Sequence, residues 1–504
     1  MEAPPPAADE GSRQSCHHSG MTEPTFFWHD YETFGADPRR DRPVQFAGIR
    51  TDMELNIIEE PVMFYGLPPK DMPPHPEACL ITRITPQLAA REGIREAEFA
   101  ARVQEQLGRP GTCGVGYNSL RFDDEVTRQL LYRNFFDPYA REWEHGNARW
   151  DLIDLVRMCE ALRPDGIQWP SREDGAPSFK LEQLATANAL EQAQAHDALS
   201  DVRALIGLAQ LIRQRQPRLW DWYYQLRRKQ QVQSLLDPIA MTPLVHISSR
   251  YPASRHCLAI IVPLAEHPSR PGEMIIYDLD HDPDDWLALD AQSIADRVFV
   301  ARADLPEGIE RVPLRTLRSN RAPALAPMSV LRPVDLERLQ LNPDIQLAHL
   351  EKLRRAPDLV SKVRDIFGHA SDFPPAGDPE LALYDGFAAR ADKPLLVKVR
   401  TSPPEALAGL ASAFKDPRYP ELLFRYRARN WPETLSAEET ARWRAFLQDR
   451  LSGRSPTVEL SLAEYFQRIA SLREERTAPA DQLLLDQLQV WGESLGEDLS
   501  LPIA

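Results

Sequence analysis

The sequence contains few cysteines, and their spacing forms no paired motif. The five cysteines are scattered along the chain, with no Cys-x-x-Cys pair: Cys16, Cys79, Cys113, Cys159 and Cys257. This pattern fits a protein of a reducing compartment and carries no signature of a structural zinc site.

Long hydrophobic runs are missing as well. The longest apolar stretches, such as residues 257–265, are far shorter than the ~20 residues that a membrane-spanning helix needs. No charged segment followed by an apolar one opens the chain, so we expect no secretory signal. We therefore expect a soluble, cytoplasmic protein without a membrane partner.

The chain also lacks positive net charge. Its 59 Lys and Arg residues face 75 Asp and Glu residues, which gives a net charge of −16. This balance argues against a protein that coats nucleic acid with a uniformly basic surface, although it leaves room for a local basic groove. The 504 residues, 43% of them hydrophobic, are enough for two to four domains.

Two acids stand out at the end of an aromatic run over residues 25–34. Side chains alternate between the two faces of a strand, so Asp30 and Glu32 point the same way. Two carboxylates at the end of a buried strand are costly unless a cation or hydrogen bonds compensate them, and Mg²⁺ prefers such oxygen ligands. The alternative is an ordinary strand end that carries two solvated acids.

Further acids follow downstream at the starts of predicted helices. A short strand over residues 112–118 leads into Asp123 and Asp124, either of which can serve as a helix N-cap. Asp197 is predicted as the N-cap of another helix, which places His196 in the preceding turn and Asp201 in the early helical turns. A His and an Asp at this spacing are also common by chance.

The remaining pattern predicts three regions after a disordered tail over residues 1–24. Strands are expected at 25–34, 45–50, 56–58 and 61–65 as an antiparallel meander, and helices at 95–107, at 150–162 and from residue 179. Residues 205–236 are helical and basic, and their aromatics Trp220, Trp222, Tyr223 and Tyr224 either stack on single-stranded nucleic acid or pack a domain seam.

A β-rich region is expected over 240–317, with a helix near 290–297. Helices are expected at 334–340, 343–355, 357–368, 379–389, 404–414, 419–428, 435–450, 461–475 and 480–494.

Asp30, Glu32, Asp123 and Asp201 can together hold two divalent cations about 3.5–4 Å apart for phosphodiester hydrolysis, with His196 as the general base. The segments HDYETFG, GYNSLRFDDEVTR and AHDALSDV resemble the three motifs of the DEDDh exonucleases. Longer segments, among them FFWHDYETFGADPRRDRPVQFAGIRTD and LLFRYRARNWPETL, resemble the bacterial exodeoxyribonuclease I family over nearly the whole chain.

The resemblance implies an α/β multi-domain protein. The expected parts are a ribonuclease H-like exonuclease domain over 25–215, an SH3-like β-barrel domain with flanking helices over 216–370 and a helical C-terminal domain over 371–504. It implies a monomeric enzyme of DNA repair and recombination that degrades single-stranded DNA processively from the 3′ end to 5′-mononucleotides. The expected cofactors are two Mg²⁺ ions, with Mn²⁺ as a substitute.

Residue roles follow from the same resemblance. The four acids match the metal ligands and His196 the general base, whereas the terminal nucleotide and nearby DNA are assigned to Glu32, Thr33, Phe34, Asn118 and Lys180. Three arginines match residues that receive the acidic C-terminal tail of single-stranded DNA-binding protein: Arg163, Arg332 and Arg354. Thr242 and Pro327 depart from the expected Lys and Gln, which puts the details of partner binding in question. We also expect a positive channel within an acidic shell.

Two other functions share parts of this pattern. A short-RNA exonuclease or a proofreading subunit would use the same acids, but such proteins are usually compact single domains, and about 300 residues follow Asp201 here. A catalytically inactive nucleic-acid-binding protein would be indicated by the loss of one of these acids, yet all four and His196 are present.

Overall fold

The structure is a computed structural model that describes residues 23–190, 197–301, 304–368, 375–455 and 457–501. The tail expected over residues 1–24 therefore lies almost entirely outside the described residues. The strands are β1 Thr25–Thr33, β2 Pro43–Thr51, β3 Val62–Gly66, β4 Gly93–Ile94, β5 Thr112–Gly116, β6 Ala148–Asp151, β7 Leu244–Ile247, β8 Leu258–Glu266, β9 Glu273–Asp278, β10 Leu314–Arg318 and β11 Ala324–Pro327.

The helices alternate with strands up to residue 327 and dominate afterwards. They are α1 Pro76–Thr82, α2 Pro86–Glu92, α3 Glu96–Leu107, α4 Asp123–Arg133, α5 Ile153–Leu162, α6 Leu181–Ala187, α7 Ala198–Arg215, α8 Pro217–Gln225, α9 Lys229–Gln233, α10 Asp284–Leu287, α11 Ala291–Phe299, α12 Pro343–Arg355, α13 Leu359–Gly368, α14 Lys393–Thr401, α15 Arg418–Asn430, α16 Ala437–Leu451, α17 Leu462–Glu475 and α18 Pro479–Leu499. Among the described residues, no helix is both long and apolar enough to cross a membrane.

The first domain is built on a six-stranded mixed sheet in the order β4-β3-β2-β1-β5-β6. Strands β1, β2 and β3 form the antiparallel meander predicted from the sequence, while β5 and β6 run parallel to β1. Alternate residues of β1 supply both faces: Phe26 and Trp28 pack with α7, whereas Phe27 and Tyr31 pack with α3 and α4. This arrangement confirms the expected ribonuclease H-like domain.

The second sheet has five antiparallel strands in the order β10-β9-β8-β7-β11. Strands β7, β8 and β9 are almost fully buried, and the core of this sheet is continuous with that of the first domain. The expected SH3-like domain and helical C-terminal domain are both present. The exact domain boundaries given above remain predictions.

The C-terminal helices pack directly onto the first domain. Helices α16 to α18 enclose a hydrophobic cluster that includes Phe34, Val44 and Cys79 of the first domain. Buried ion pairs add to this seam, since Arg42 lies 3.4 Å from Glu380 and Arg429 lies 2.9 Å from Asp71. The C-terminal domain therefore contacts the chain immediately after β1.

The strand predicted at residues 56–58 is wrong. Asp52 Oδ1 accepts hydrogen bonds from the backbone N–H groups of Glu54 and Asn56, at 2.9 and 2.8 Å, and closes a polar turn. Only an isolated bridge between Thr51 and Ile57 remains of the pairing.

The helix predicted at 150–162 begins later. Trp150 belongs to β6, where it pairs with Val115 of β5. The Asp151 carboxylate then accepts a hydrogen bond from the Ile153 N–H at 3.0 Å, which starts α5. An aromatic residue at the edge of an apolar run fits the sequence period of a helix as well as that of a strand. Here the pairing of Trp150 with Val115 makes it part of a strand.

Other differences lie in the C-terminal half. The helix predicted at 334–340 is wrong, since Asp335 accepts from the N–H groups of Glu337 and Arg338 in a turn. The segments Pro379–Asp385 and Pro404–Ala413 form 3₁₀ helices where longer helices were expected. Four helices were not predicted because they lie in proline-rich segments or have only short apolar runs: α1, α2, α10 and α14.

The aromatic residues of the basic segment are structural to different degrees. Trp220 and Tyr223 are buried, and Trp220 packs against Trp150 with ring centroids 4.8 Å apart. Trp222 donates a hydrogen bond from Nε1 to the Leu325 carbonyl at 2.7 Å. The prediction that bases stack on Trp220 or Tyr223 is therefore wrong. The alternative prediction, that these two side chains pack inside the protein at a domain seam, is confirmed for both. The predicted continuous helix is broken at Pro217.

Candidate active site

The site lies at the end of β1, where strand alternation presents Asp30 and Glu32 on one face. Each of these residues and Asp201 offers a carboxylate oxygen, and the three oxygens lie within 4.8 Å of one another. All three side chains are partly exposed, so they border open space. A register shift between Glu32 and Thr33 ends the regular pairing directly after the second acid.

Helix α7 brings Asp201 to this face. Asp197 is its N-cap, as predicted, and its side chain accepts from the Ser200 N–H at 3.2 Å. Gln45 of β2 ties this helix start to the sheet, because its amide donates to Asp197 Oδ1 at 3.4 Å and accepts from the Ala198 N–H at 3.2 Å. Gln45 also pairs with Glu32 across the strands, so one residue sets the distance between α7 and β1.

Asp123 is the first residue of α4 and is buried. Neither it nor Asp124 is the N-cap, because Phe122 occupies that position without a side-chain hydrogen bond. Thr127 donates to the Asp123 carbonyl at 2.8 Å and contacts the Tyr31 hydroxyl at 2.9 Å, which holds this helix start beside β1. Asp123 Oδ1 is buried and meets no hydrogen-bond partner within the described part of the chain.

Asp124 has a separate, structural role. It forms a buried ion pair with Arg141 at 2.5 Å. Burial opposes its ionisation, yet Arg141 and Arg149 hold the pKa of Asp124 below its usual value. Burial and the neighbouring Arg141 lower the pKa of His29 to about 4, so this histidine is neutral at pH 7. The negative charge of Asp124 is thus compensated by Arg141 and Arg149, whereas that of Asp123 is not.

The pKa values of the acids reflect their crowding. Burial, followed by repulsion from Asp201, raises the pKa of Asp30 to about 8. Burial and repulsion from Asp30 raise the pKa of Glu32 to about 10. Burial and Asp30 also raise the pKa of Asp123 well above its usual value. This carboxylate cluster fits a hard divalent cation, because the donors are all oxygen and their mutual repulsion is what a cation relieves.

The residues assigned to the terminal nucleotide differ in their exposure. Asn118 and Lys180 are exposed, and Asn118 adopts a left-handed backbone with φ of 60°. Thr33 is buried and donates its hydroxyl hydrogen bond to the Gly35 carbonyl at 2.6 Å. Phe34 is only 3% exposed and packs in the cluster shared with the C-terminal helices, so its side chain presents almost no surface to a ligand in this structure. His196 lies outside the described residues.

Sequence reasoning missed Asp151. Its two carboxylate oxygens accept from the N–H groups of Asn118 at 2.8 Å and Leu120 at 3.1 Å, and so shape the turn that precedes Asp123. Burial raises the pKa of Asp151 to about 7, with a smaller contribution from Asp154. The only sequence signal is an acid at the end of a strand, the same feature that identified Asp30.

The three arginines assigned to a partner have different surroundings. Arg163 lines a cavity of about 520 Å³ together with Arg215, Arg218, Trp222 and Pro327. Arg332 is exposed and donates from its backbone N–H to Ser329, which also lines the cavity. Arg354 lies outside the cavity and donates to the carbonyls of Ala240 and Met241, next to Thr242.

Three family models match the chain. They are described as Exonuclease over residues 27–209, Exonuclease I SH3-like domain over 227–369 and Exonuclease I C-terminal domain over 377–495.

Individual relatives agree with these models. The chain is 44% identical to exodeoxyribonuclease I of Escherichia coli over 453 residues, covering 89% of this chain and 95% of the relative. It is 42% identical to that of Haemophilus influenzae over 472 residues, covering 94% and 98%.

Solved structures give the same result. Exonuclease I from Methylocaldum szegediense has a TM-score of 0.89 at 48% identity, covering 94% of this chain and 99% of that one. The E. coli enzyme in complex with a dA16 oligonucleotide has a TM-score of 0.90 at 43% identity, covering 94% and 100%. With matches of this extent and the acids in place, the chain belongs to the exodeoxyribonuclease I family of hydrolytic nucleases.

Proposed function

We propose that this protein is a Mg²⁺-dependent exonuclease that degrades single-stranded DNA processively from the 3′ end to 5′-mononucleotides, in repair and recombination. The observation that carries the proposal is the convergence of carboxylate oxygens of Asp30, Glu32 and Asp201 within 4.8 Å, with Asp123 close enough to raise the pKa of Glu32. Relatives that carry the family name, one of them bound to a dA16 oligonucleotide, support the choice of DNA.

Two cations would be held by Asp30, Glu32, Asp123 and Asp201. When bound, they would supply an activated water and charge neutralisation at the scissile phosphate. The chain itself orients these carboxylates through the alternation of β1, the Gln45 contacts to α7 and the Asp151 contacts before α4. His196 is proposed to take the proton of the attacking water as general base.

The terminal nucleotide is assigned to Glu32, Thr33, Asn118 and Lys180, with Phe34 supporting the turn behind them. Arginines of the second domain extend the proposed path away from the acids. Burial, then Arg315, Arg121 and Arg318, lower the pKa of Arg250, which means that these cations lie near one another. Arg121 precedes Asp123 by two residues, so a basic path begins beside the site. Such a path suits a phosphate backbone.

A degradation gel tests this function. A 5′-labelled DNA strand with Mg²⁺ should give a ladder that shortens from the 3′ end, and a chelator should abolish it. Asp201→Ala should remove hydrolysis while circular dichroism shows an unchanged fold. Internal cuts, faster degradation of a matched RNA strand, or activity of Asp201→Ala like that of the wild type would contradict the proposal.

We also propose that the cavity lined by Arg163 receives the acidic C-terminal tail of single-stranded DNA-binding protein. Arg163, Arg215 and Arg218 can pair with carboxylates, while Leu219 and Trp222 offer apolar contact for a terminal side chain. In a fluorescence anisotropy assay with a labelled acidic tail peptide, Arg163→Ala should weaken binding about tenfold or more. Arg213→Ala, a partly exposed cation near Glu54, is the control; equal affinity of both variants would exclude this site.

A further inference from the structure

A second cluster of metal-binding side chains lies away from the catalytic acids, at the seam between the first domain and the C-terminal domain. Asp41, His75 and Glu459 each offer one ligand atom, and the three atoms lie within 4.8 Å of one another. Asp41 and His75 come from two loops of the first domain, and Glu459 precedes α17. The three residues are far apart in sequence, so only the fold brings them together.

The distances in this cluster suit a shared ion better than direct hydrogen bonding. His75 Nε2 lies 3.8 Å from Asp41 Oδ1, which is too long for a hydrogen bond. Two ligands on one tetrahedral Zn²⁺ stand about 3.4 Å apart, given bonds of about 2.0–2.1 Å. A small movement of the partly exposed His75 side chain would therefore complete the geometry.

The Asp41 carboxylate is held in place for this role. Its Oδ2 accepts the Asp37 N–H at 2.7 Å, which leaves Oδ1 on the side of His75. A Cβ atom on Gly35 would lie 2.2 Å from Asp41 Oδ2, so the backbone after β1 fits tightly against this carboxylate. His75 is tied to the same backbone, because its N–H donates to the Phe34 carbonyl at 2.7 Å.

Other charges around the cluster are weaker partners. Arg40 lies 3.8 Å from Glu459 and 3.6 Å from Asp37, but its side chain is 36% exposed and Glu459 is 47% exposed. Exposed ion pairs of this kind contribute at most about 1 kcal/mol. Arg40 can therefore release Glu459 to a cation at little cost.

We propose that Asp41, His75 and Glu459 form a site for a divalent cation of the zinc class. The bound cation would link the C-terminal domain to the loops that follow β1. An imidazole nitrogen beside two carboxylates favours Zn²⁺ or Co²⁺ over Mg²⁺, which prefers all-oxygen sites. Water would supply the fourth ligand. This site is distinct from the carboxylate cluster of Asp30, Glu32 and Asp201, whose donors are oxygens alone.

The test uses Co²⁺, whose visible absorption reports tetrahedral coordination, in full-length protein carrying Asp30→Asn and Asp201→Asn. This background weakens the catalytic cluster, so the result does not depend on the proposed nuclease function. We expect binding of one equivalent of Co²⁺ at about pH 7.5 and displacement of its absorption by Zn²⁺.

Added to that background, His75→Gln or Glu459→Gln should weaken Co²⁺ binding by roughly tenfold to hundredfold and abolish the tetrahedral spectrum. The matched control is His145→Gln, an exposed histidine elsewhere in the first domain. Thermal unfolding of each protein without metal verifies that the variants are folded. Absence of a tetrahedral spectrum in the background protein, or equal Co²⁺ affinity of His75→Gln and His145→Gln, would overturn the site.

Discussion

Cation binding at the candidate active site should release protons, because the metal-free acids hold them at neutral pH. The pKa of Asp30 is about 8 and that of Glu32 about 10, so both carboxyls are mostly protonated at pH 7. A divalent cation requires the ionised forms. We therefore expect about two protons to leave for each site filled, and apparent affinity to rise steeply as pH increases from 6 towards 8.

Calorimetric titration of the DNA-free protein with Mn²⁺ measures this release. At pH 7, the heats in two buffers of different ionisation enthalpy should differ by an amount that corresponds to about two protons. Asp30→Asn should reduce the release by about one proton. Asp174→Asn changes an exposed acid with no place in the cluster, and it should release as many protons as the wild type.

Heats that are independent of buffer at pH 7 would refute this reasoning. They would mean that Asp30 and Glu32 are already ionised without metal. The repulsion among Asp30, Glu32 and Asp201 would then be compensated by the protein itself, and crowding would no longer be evidence for a cation site.

Three further outcomes follow from the same structure. His196→Ala should lower the single-turnover rate of DNA hydrolysis by about 10²-fold or more, with DNA affinity by anisotropy close to normal. In metal-free protein, Asp30→Asn should raise the urea midpoint at about pH 8 but not near pH 4. The pKa of Asp30 is higher in the folded protein than in the unfolded chain, so its ionisation opposes folding only at pH values above the pKa of the unfolded chain. Glu380→Gln should destabilise the protein by about 3–5 kcal/mol at pH 7, seen as a lower urea midpoint, because it leaves Arg42, Arg425 and Arg429 less compensated.

The central strand and the start of α7 could be predicted because local rules govern them. Alternation along β1 places Asp30 and Glu32 on one face, and the preference of Asp for N-caps places Asp197 before α7. Both predictions use neighbours within a few residues. An acid at a helix start after a short strand also predicted Asp123 as a candidate metal ligand, whereas the N-cap that the same position suggested does not form.

Residues that act through distant single contacts could not be predicted. Gln45 reaches the start of α7 across about 150 residues, and Asp151 braces the turn at Asn118 from the neighbouring strand. Neither contact produces a periodic pattern in the sequence. The cluster of Asp41, His75 and Glu459 is an extreme case, because its members lie in loops, where hydrophobic periodicity carries no information.

The segment immediately after Glu32 links the C-terminal domain to the candidate active site. Phe34, two residues beyond Glu32, is buried among residues of α16, α17 and α18, and Arg42 pairs with Glu380 of the same domain. An isolated first domain would expose Phe34 and leave Arg42 without that carboxylate. The C-terminal domain is therefore part of the support of β1, which a compact single-domain exonuclease must provide by other means. Movement at this seam would reach Glu32 through only two residues, so the contacts of the C-terminal domain also support the position of the carboxylate cluster.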